Sequence, residues 1–140
     1  MQNIVETIIT TPSLVTMQKV IQAAKWDELL SQPGPFTVFA PNQDAFGKLP
    51  AGSFENLLQD LPGIQEILAY HIVEGQVLEE EIRKHPSMRM LCGKNIGIAV
   101  QNGIKINQAN LIKADIICEN GVIHIIDAVL ALPNTKFTTV

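Results

Sequence analysis

The chain has 140 residues, of which 46% are hydrophobic and 17% charged, and a formal net charge of −4. That balance describes one folded domain, residues 1–140, with a core large enough to need no staples, and excludes a disordered chain. The ten Lys and Arg are scattered, so the concentrated positive footprint that nucleic acids and anionic membranes require is missing.

In chain order, the N-terminal MQNIVETIITT has no basic segment and no signal-like apolar stretch. This leaves open both a cytoplasmic protein and one whose leader has been removed. No apolar run reaches the ~18 residues that a membrane span needs. Asn3 to Thr10 reads as a short helix that stops before Pro12. Ser13 is expected to cap a second helix, with Leu14, Met17, Ile21 and Ala24 on one face, running to Leu30 ahead of the breakers SQPGP. FTVFA, from Phe36 to Ala40, is nearly all apolar and rich in β-formers, so it reads as a buried strand. Pro41 ends it, and Asn42 can cap the helical segment NQDAFGKL. A helix opening at Ser53 runs to Leu61; the next begins near Pro62, with Ile64, Ile67 and Leu68 inward. A brief strand HIVEG and a surface helix LEEEIRKH follow, the latter acidic first and basic last, as the helix dipole favours.

From Leu91 the apolar period changes from 3.6 to 2. Ile96, Ile98 and Val100 alternate with small or polar residues, Asn102-Gly103 signals a type I′ hairpin turn, and Ile104 and Ile106 alternate after it. A strand from Leu111 to Cys118, a second turn at Asn120-Gly121 and a strand from Val122 to Leu130 complete an antiparallel meander closed by Pro133. Helices first and strands last give an α+β class.

Chemistry-bearing residues are sparse. In NGVIHIIDAVL, His124 and Asp127 have an odd separation, which places them on opposite faces of a strand. Both faces are apolar, so His124 reads as a core histidine with a backbone partner. Asp127 reads as an acceptor of backbone N–H groups. His85 reads as a surface residue, and the three histidines share no ligand spacing, so no metal site is expected. Cys92 and Cys118 form no CxxC pair. AGSF around Ser53 lacks the frame of a nucleophile elbow, and no Gly-rich phosphate loop or other cofactor motif appears. No catalytic residue and no cofactor is therefore assigned.

Three blocks resemble the fasciclin domain family: GPFTVFAPNQDAF (34–46), AYHIVEG (69–75) and ADIICENGVIHIIDAVLALP (114–133). In order and spacing they are similar to the family's first homology box, its Tyr-His motif and its second box, and the match runs from about Asn3 to Pro133. The resemblance implies an α+β, β-sandwich-like wedge of antiparallel strands with helices packed beside it. It implies a non-enzymatic adhesion or protein-interaction module, secreted, periplasmic or at the cell surface, with a protein or cell-surface component as partner. It also implies partner contacts at Tyr70 and His71 of the Tyr-His motif, and at Asp115 and Ile116 of an Asp-Ile motif. A lone domain of this shape also resembles bacterial versions, where integrins are not a sensible partner.

Strand alternation puts Asp115 outward with Lys113 and Ile117, and Ile112, Ala114, Ile116 and Cys118 inward. Asp115→Ala is then expected to leave stability nearly unchanged. His71 lies where a helix gives way to a strand and is expected to lock that junction, with Asn42 or Asp44 as partner, so that His71→Ala costs stability. Two other functions stay open: a cytosolic small-ligand or protein-binding domain, and a small hydrolase pairing His71 or His124 with a carboxylate.

Overall fold

Asn3 sets the first helix. Its side chain accepts the Glu6 N–H at 2.8 Å, and Glu6 accepts the Asn3 N–H at 3.0 Å, a reciprocal cap. The computed structural model describes residues 2–49 and 52–130. It opens with α1 (Ile4–Thr10), a 3-10 turn (Pro12–Leu14) and α2 (Val15–Ala24). Leu14, Met17, Ile21 and Ala24 are all buried, as their spacing predicts. Two boundaries differ. Ser13 lies inside the 3-10 turn, and no side chain caps α2. The helix ends at Ala24 and not Leu30, because Lys25 turns left-handed at φ 62 and the Trp26 N–H returns to the Ile21 carbonyl at 3.1 Å. A second 3-10 turn (Leu29–Ser31) buries Leu30.

β1 (Phe36–Pro41) follows, buried from Thr37 onward. Asn42 starts α3 (Gln43–Gly47) by accepting the Ala45 N–H at 2.8 Å. Gly52 precedes α4 (Ser53–Leu58), which stops short of the predicted Leu61. Leu61 instead opens α5 (Leu61–Ala69), capped by the Asp60 carboxylate. Then come β2 (Ile72–Glu74), α6 (Glu79–Ile82), β3 (Ser87–Arg89), β4 (Asn95–Val100), β5 (Ile104–Ile106), β6 (Ala109–Cys118) and β7 (Gly121–Ile126). β3 carries no sequence signal of its own. α6 keeps four residues of LEEEIRKH, with Arg83, Lys84 and His85 just beyond it pairing back to Glu79 and Glu81 at 3.1–3.7 Å.

The strands form one sheet in the order β2-β1-β7-β6-β5-β4-β3. The predicted meander is present from β4 to β7. β1 departs from it by lying parallel to β7, between β7 and the edge strand β2. This parallel pair is covered on both faces, which explains why FTVFA and VIHII lack polar alternation. Val38, Ala40, Ile123 and Ile125 face a core shared with α1, α2, α4 and α5. Phe39 and Ile126 face a second core, inside the curl of the sheet, with Tyr70, Ile82, Met90, Ile96, Ile104 and Ile106. The curl is nearly closed, for the Leu91 N–H beyond β3 bonds the Ile72 carbonyl of β2 at 2.7 Å. The result is an α+β wedge with helices packed on its outer side.

The two Asn-Gly signals diverge. At Asn102 (φ 53) and Gly103 (φ 115) both residues take the positive φ that the turn demands, within a three-residue loop between paired Val100 and Ile104. Asn120 does not turn left-handed; Cys118 pairs with Gly121, so the turn residues are Glu119 and Asn120. Gly121 is needed for a different reason: any Cβ there would collide with the Phe36 carbonyl of β1. Pro133 lies outside the described residues.

Candidate functional site

The middle of β7 carries a polar side chain into the core. His124 is fully buried and stacks on Phe39, with ring centroids 5.5 Å apart. Its Nε2–H donates to the Val77 carbonyl at 2.7 Å, and its Nδ1 accepts the Asp115 N–H at 3.1 Å. Burial pulls its pKa below the usual histidine range, against the raising influence of Val77, Asp115 and Glu79. Both nitrogens are thus committed to main-chain groups. Asp127 does not meet His124. Its carboxylate accepts the Asn110 N–H at 2.7 Å and the Asn110 side-chain amide at 2.9 Å. Burial alone would raise its pKa, but the Asn110 bonds and the Lys48 charge hold it below the usual carboxylate value.

Tyr70 and His71 lie at the end of α5. Both are buried, at 4% and 2% exposure, because the chain turns here from helix into the sheet between the two cores. Buried to this degree, the two side chains present little surface of their own. Tyr70 donates from its hydroxyl to the Asn95 carbonyl and accepts from the Asn107 amide, each at 3.1 Å. His71 Nδ1–H donates to the Ile67 carbonyl at 2.8 Å, and Nε2 accepts the Leu130 N–H at 2.9 Å. Neither Asn42 nor Asp44 is among its hydrogen-bond partners. Asn42 is spent on capping α3, and Asp44 occupies that helix's acidic first turn. Desolvation lowers the His71 pKa to about 4. The crevice beside it, lined by Met17, Val20, Phe46 and Val129 among others, is apolar and has room for about one water. A small-molecule ligand does not fit there.

β6 carries the Asp-Ile motif on an irregular ladder. Leu111 pairs with Ile126, Lys113 with Ile125 and Ile116 with Ile123, so β6 holds one extra residue at each of two bulges. The first reverses the expected facing of Ile112, which is 57% exposed, while Leu111 turns into the inner core. The second contains Asp115 at φ 60. Asp115 is exposed and its carboxylate accepts the Glu79 N–H at 2.8 Å, capping α6 from another element. Ile116 is half-buried against the helical core, and Ile117 is 45% exposed. β6 thus leaves Ile112, Asp115 and Ile117 exposed, with Asp115 between the two isoleucines in the chain.

Three load-carrying polar residues gave no such signal in the sequence. Asn120 is buried; it accepts the Ile4 N–H at 2.9 Å and donates to the Leu30 and Gln32 carbonyls, both at 2.7 Å. Thr37 donates to the Gly75 carbonyl and accepts the Val77 N–H. Asn107, at φ 54, joins Tyr70 to the Gly97 N–H. Cys92 and Cys118 are free thiols. Among the described residues no group of three or more His, Cys, Asp and Glu could hold a metal ion, and no helix is long and apolar enough to cross a membrane.

The curled sheet with helices outside it and polar residues locked within it defines the class. The same architecture occurs in the FAS1 domain pair from the insect cell adhesion molecule Fasciclin I, with TM-score 0.81 over 94% of this chain and 51% of that one. At 18% identity that likeness establishes the fold alone. The fasciclin domain family model matches residues 12–133. The chain is 36% identical to the uncharacterized protein sll1735 of Synechocystis over 94% of its own length and 99% of that protein's. It is also 36% identical to human periostin over 78% of this chain and 13% of that protein. The chain therefore belongs to the fasciclin domain family, which occurs in adhesion proteins.

Proposed function

We propose that this domain is a non-enzymatic interaction module that binds a protein or cell-surface component through a ledge on β6 made by Ile112, Asp115 and Ile117. The observation that carries the reading is the pairing of exposed Ile112 and Ile117 with internally committed polar residues. A partner that covered these aliphatic side chains would remove their apolar surface from water, which favours association. Tyr70, His71 and His124, whose hydrogen bonds all run to the domain's own groups, position this surface without touching the partner. His71 and His124 lack the free nitrogen that proton transfer to a substrate needs, which speaks against the hydrolase alternative.

The test compares wild type with Ile112→Thr/Ile117→Thr, a change that keeps β propensity and adds no charge. Each would be immobilised and exposed to the surface-protein fraction of the source cell. Proteins retained by the wild type should be lost from the double variant, with affinity lower by about tenfold, or ~1.4 kcal/mol. Equal retention by a double variant that melts like the wild type would remove the ledge from consideration.

A further inference from the structure

The two edges of the sheet meet at one point and then separate. In β2, the Phe39 N–H to His71 carbonyl bond and the Gly75 N–H to Pro35 carbonyl bond show which residues turn their backbone toward β1. By alternation Ile72 and Glu74 turn theirs away from it. In β3, the Met90 N–H to Lys94 carbonyl bond and the Ile98 N–H to Pro86 carbonyl bond do the same, so Ser87, Arg89 and Leu91 face away from β4. Followed through the strand order, five antiparallel pairs and the parallel β1–β7 pair leave β2 and β3 antiparallel across the gap. Leu91 and Ile72 join there through their 2.7 Å bond. One step further along, Glu74 and Arg89 stand on opposite walls of an open groove with about 360 Å³ of free volume, lined also by Val73, Met90, Leu91 and Gly93.

Within that groove the outward backbone groups of Glu74 and Arg89 have no hydrogen-bond partner among the described residues. Nor do the two opposite charges form an ion pair with each other. The edges are therefore too far apart to pair past Leu91, yet both present unsatisfied main-chain donors and acceptors. Such edges are templates for another strand.

We propose that the cleft between β2 and β3 is a peptide-binding site that takes a short extended segment of a partner protein by strand addition. The segment bonds through its main chain to Glu74 on one wall and Arg89 on the other, and completes the ring of the sheet. Hydrogen-bonded strands lie ~4.8 Å apart, so one inserted strand reaches both walls where the edges stand about two strand spacings apart. Its side chains meet one anionic and one cationic flank, which selects a segment carrying a basic and an acidic residue. This site is independent of the β6 ledge, because β6 stands three strands from either edge of the sheet.

The probe is a displayed library of random heptapeptides selected against the whole chain. Enriched peptides, resynthesised, should shift the Glu74 and Arg89 amide resonances most. N-methylating the peptide amides that face the groove should weaken binding at least ~10-fold, and N-methylating the intervening amides should not. Glu74→Pro removes an N–H that the fold does not use, so it should melt near wild type and bind at least ~10-fold more weakly. Ile112→Thr/Ile117→Thr should bind the peptides normally. No enrichment over a blocked surface, binding indifferent to N-methylation, or shifts centred on another face would each overturn the proposal. The N-methyl series decides the matter even should Glu74→Pro fail to fold.

Discussion

Asp115 illustrates how one residue combines two constraints. Its backbone adopts φ 60, which Asp tolerates better than Ala, and its carboxylate holds the first N–H of α6 at 2.8 Å. Asp115→Ala is therefore expected to cost about 1–2 kcal/mol, reversing the neutral outcome that strand alternation predicts. Asp115→Asn, which keeps an accepting side-chain oxygen and tolerates the same φ, should cost less than half as much in urea denaturation. Asn120 is the sharper case, because three hydrogen bonds, two of them buried, join α1 and the second 3-10 turn through one side chain. Asn120→Ala should cost about 2–4 kcal/mol by the same measurement. In the sequence Asn120 is indistinguishable from a turn asparagine. Asn102 occupies the same dipeptide and is one, and only the surrounding backbone separates the two.

At the level of elements, local signals served best where a cap or a period is self-contained. Asn3 and Asn42 cap the helices they precede, and the buried face of α2 follows its spacing. They failed where a neighbour decides. The β6 bulges turn Ile112 outward against its alternation, and β3 exists because β4 supplies its partner. α6 is the element most dependent on others: it has four residues and no side-chain cap from its own segment. Thr37 holds Val77, His124 holds Val77 and Asp115, and Asp115 holds Glu79. His124→Leu fills a similar apolar space but removes two of these bonds. Hydrogen exchange should then accelerate at the α6 amides Glu81 to Arg83 well before it does in β1 or β7. Uniform acceleration throughout the sheet would mean that His124 supports the core as a whole instead.

For the whole molecule, the buried histidines set the response to acid. His71 titrates at about 4 in the fold against an ordinary 6.5. Between those values the unfolded chain binds a proton that the folded one refuses, so stability rises with pH. The full contribution is present above pH ~6.5 and falls by about 3 kcal/mol as the pH approaches 4. His124, also lowered by burial, adds in the same direction. Asp127, held below its ordinary 3.8, adds a further loss at lower pH. Denaturant midpoints measured from pH 7.5 to 4 should fall steadily, and His71→Gln should flatten much of the slope. A flat wild-type profile over that interval would show that His71 takes up its proton inside the fold without penalty.

By itself the sequence determined the α+β class, the helical first half, the meander and the family. Each of these rests on periods, caps and motifs contained within a few neighbouring residues. Tertiary structure alone decided that β1 inserts parallel to β7, that Tyr70 and His71 are enclosed, and that Asp115 caps a helix from a distant strand. It also left β2 and β3 apart past Leu91. Those outcomes depend on which backbones come side by side over long separations in the chain, and a linear pattern records what a residue can bond, but not which partner reaches it.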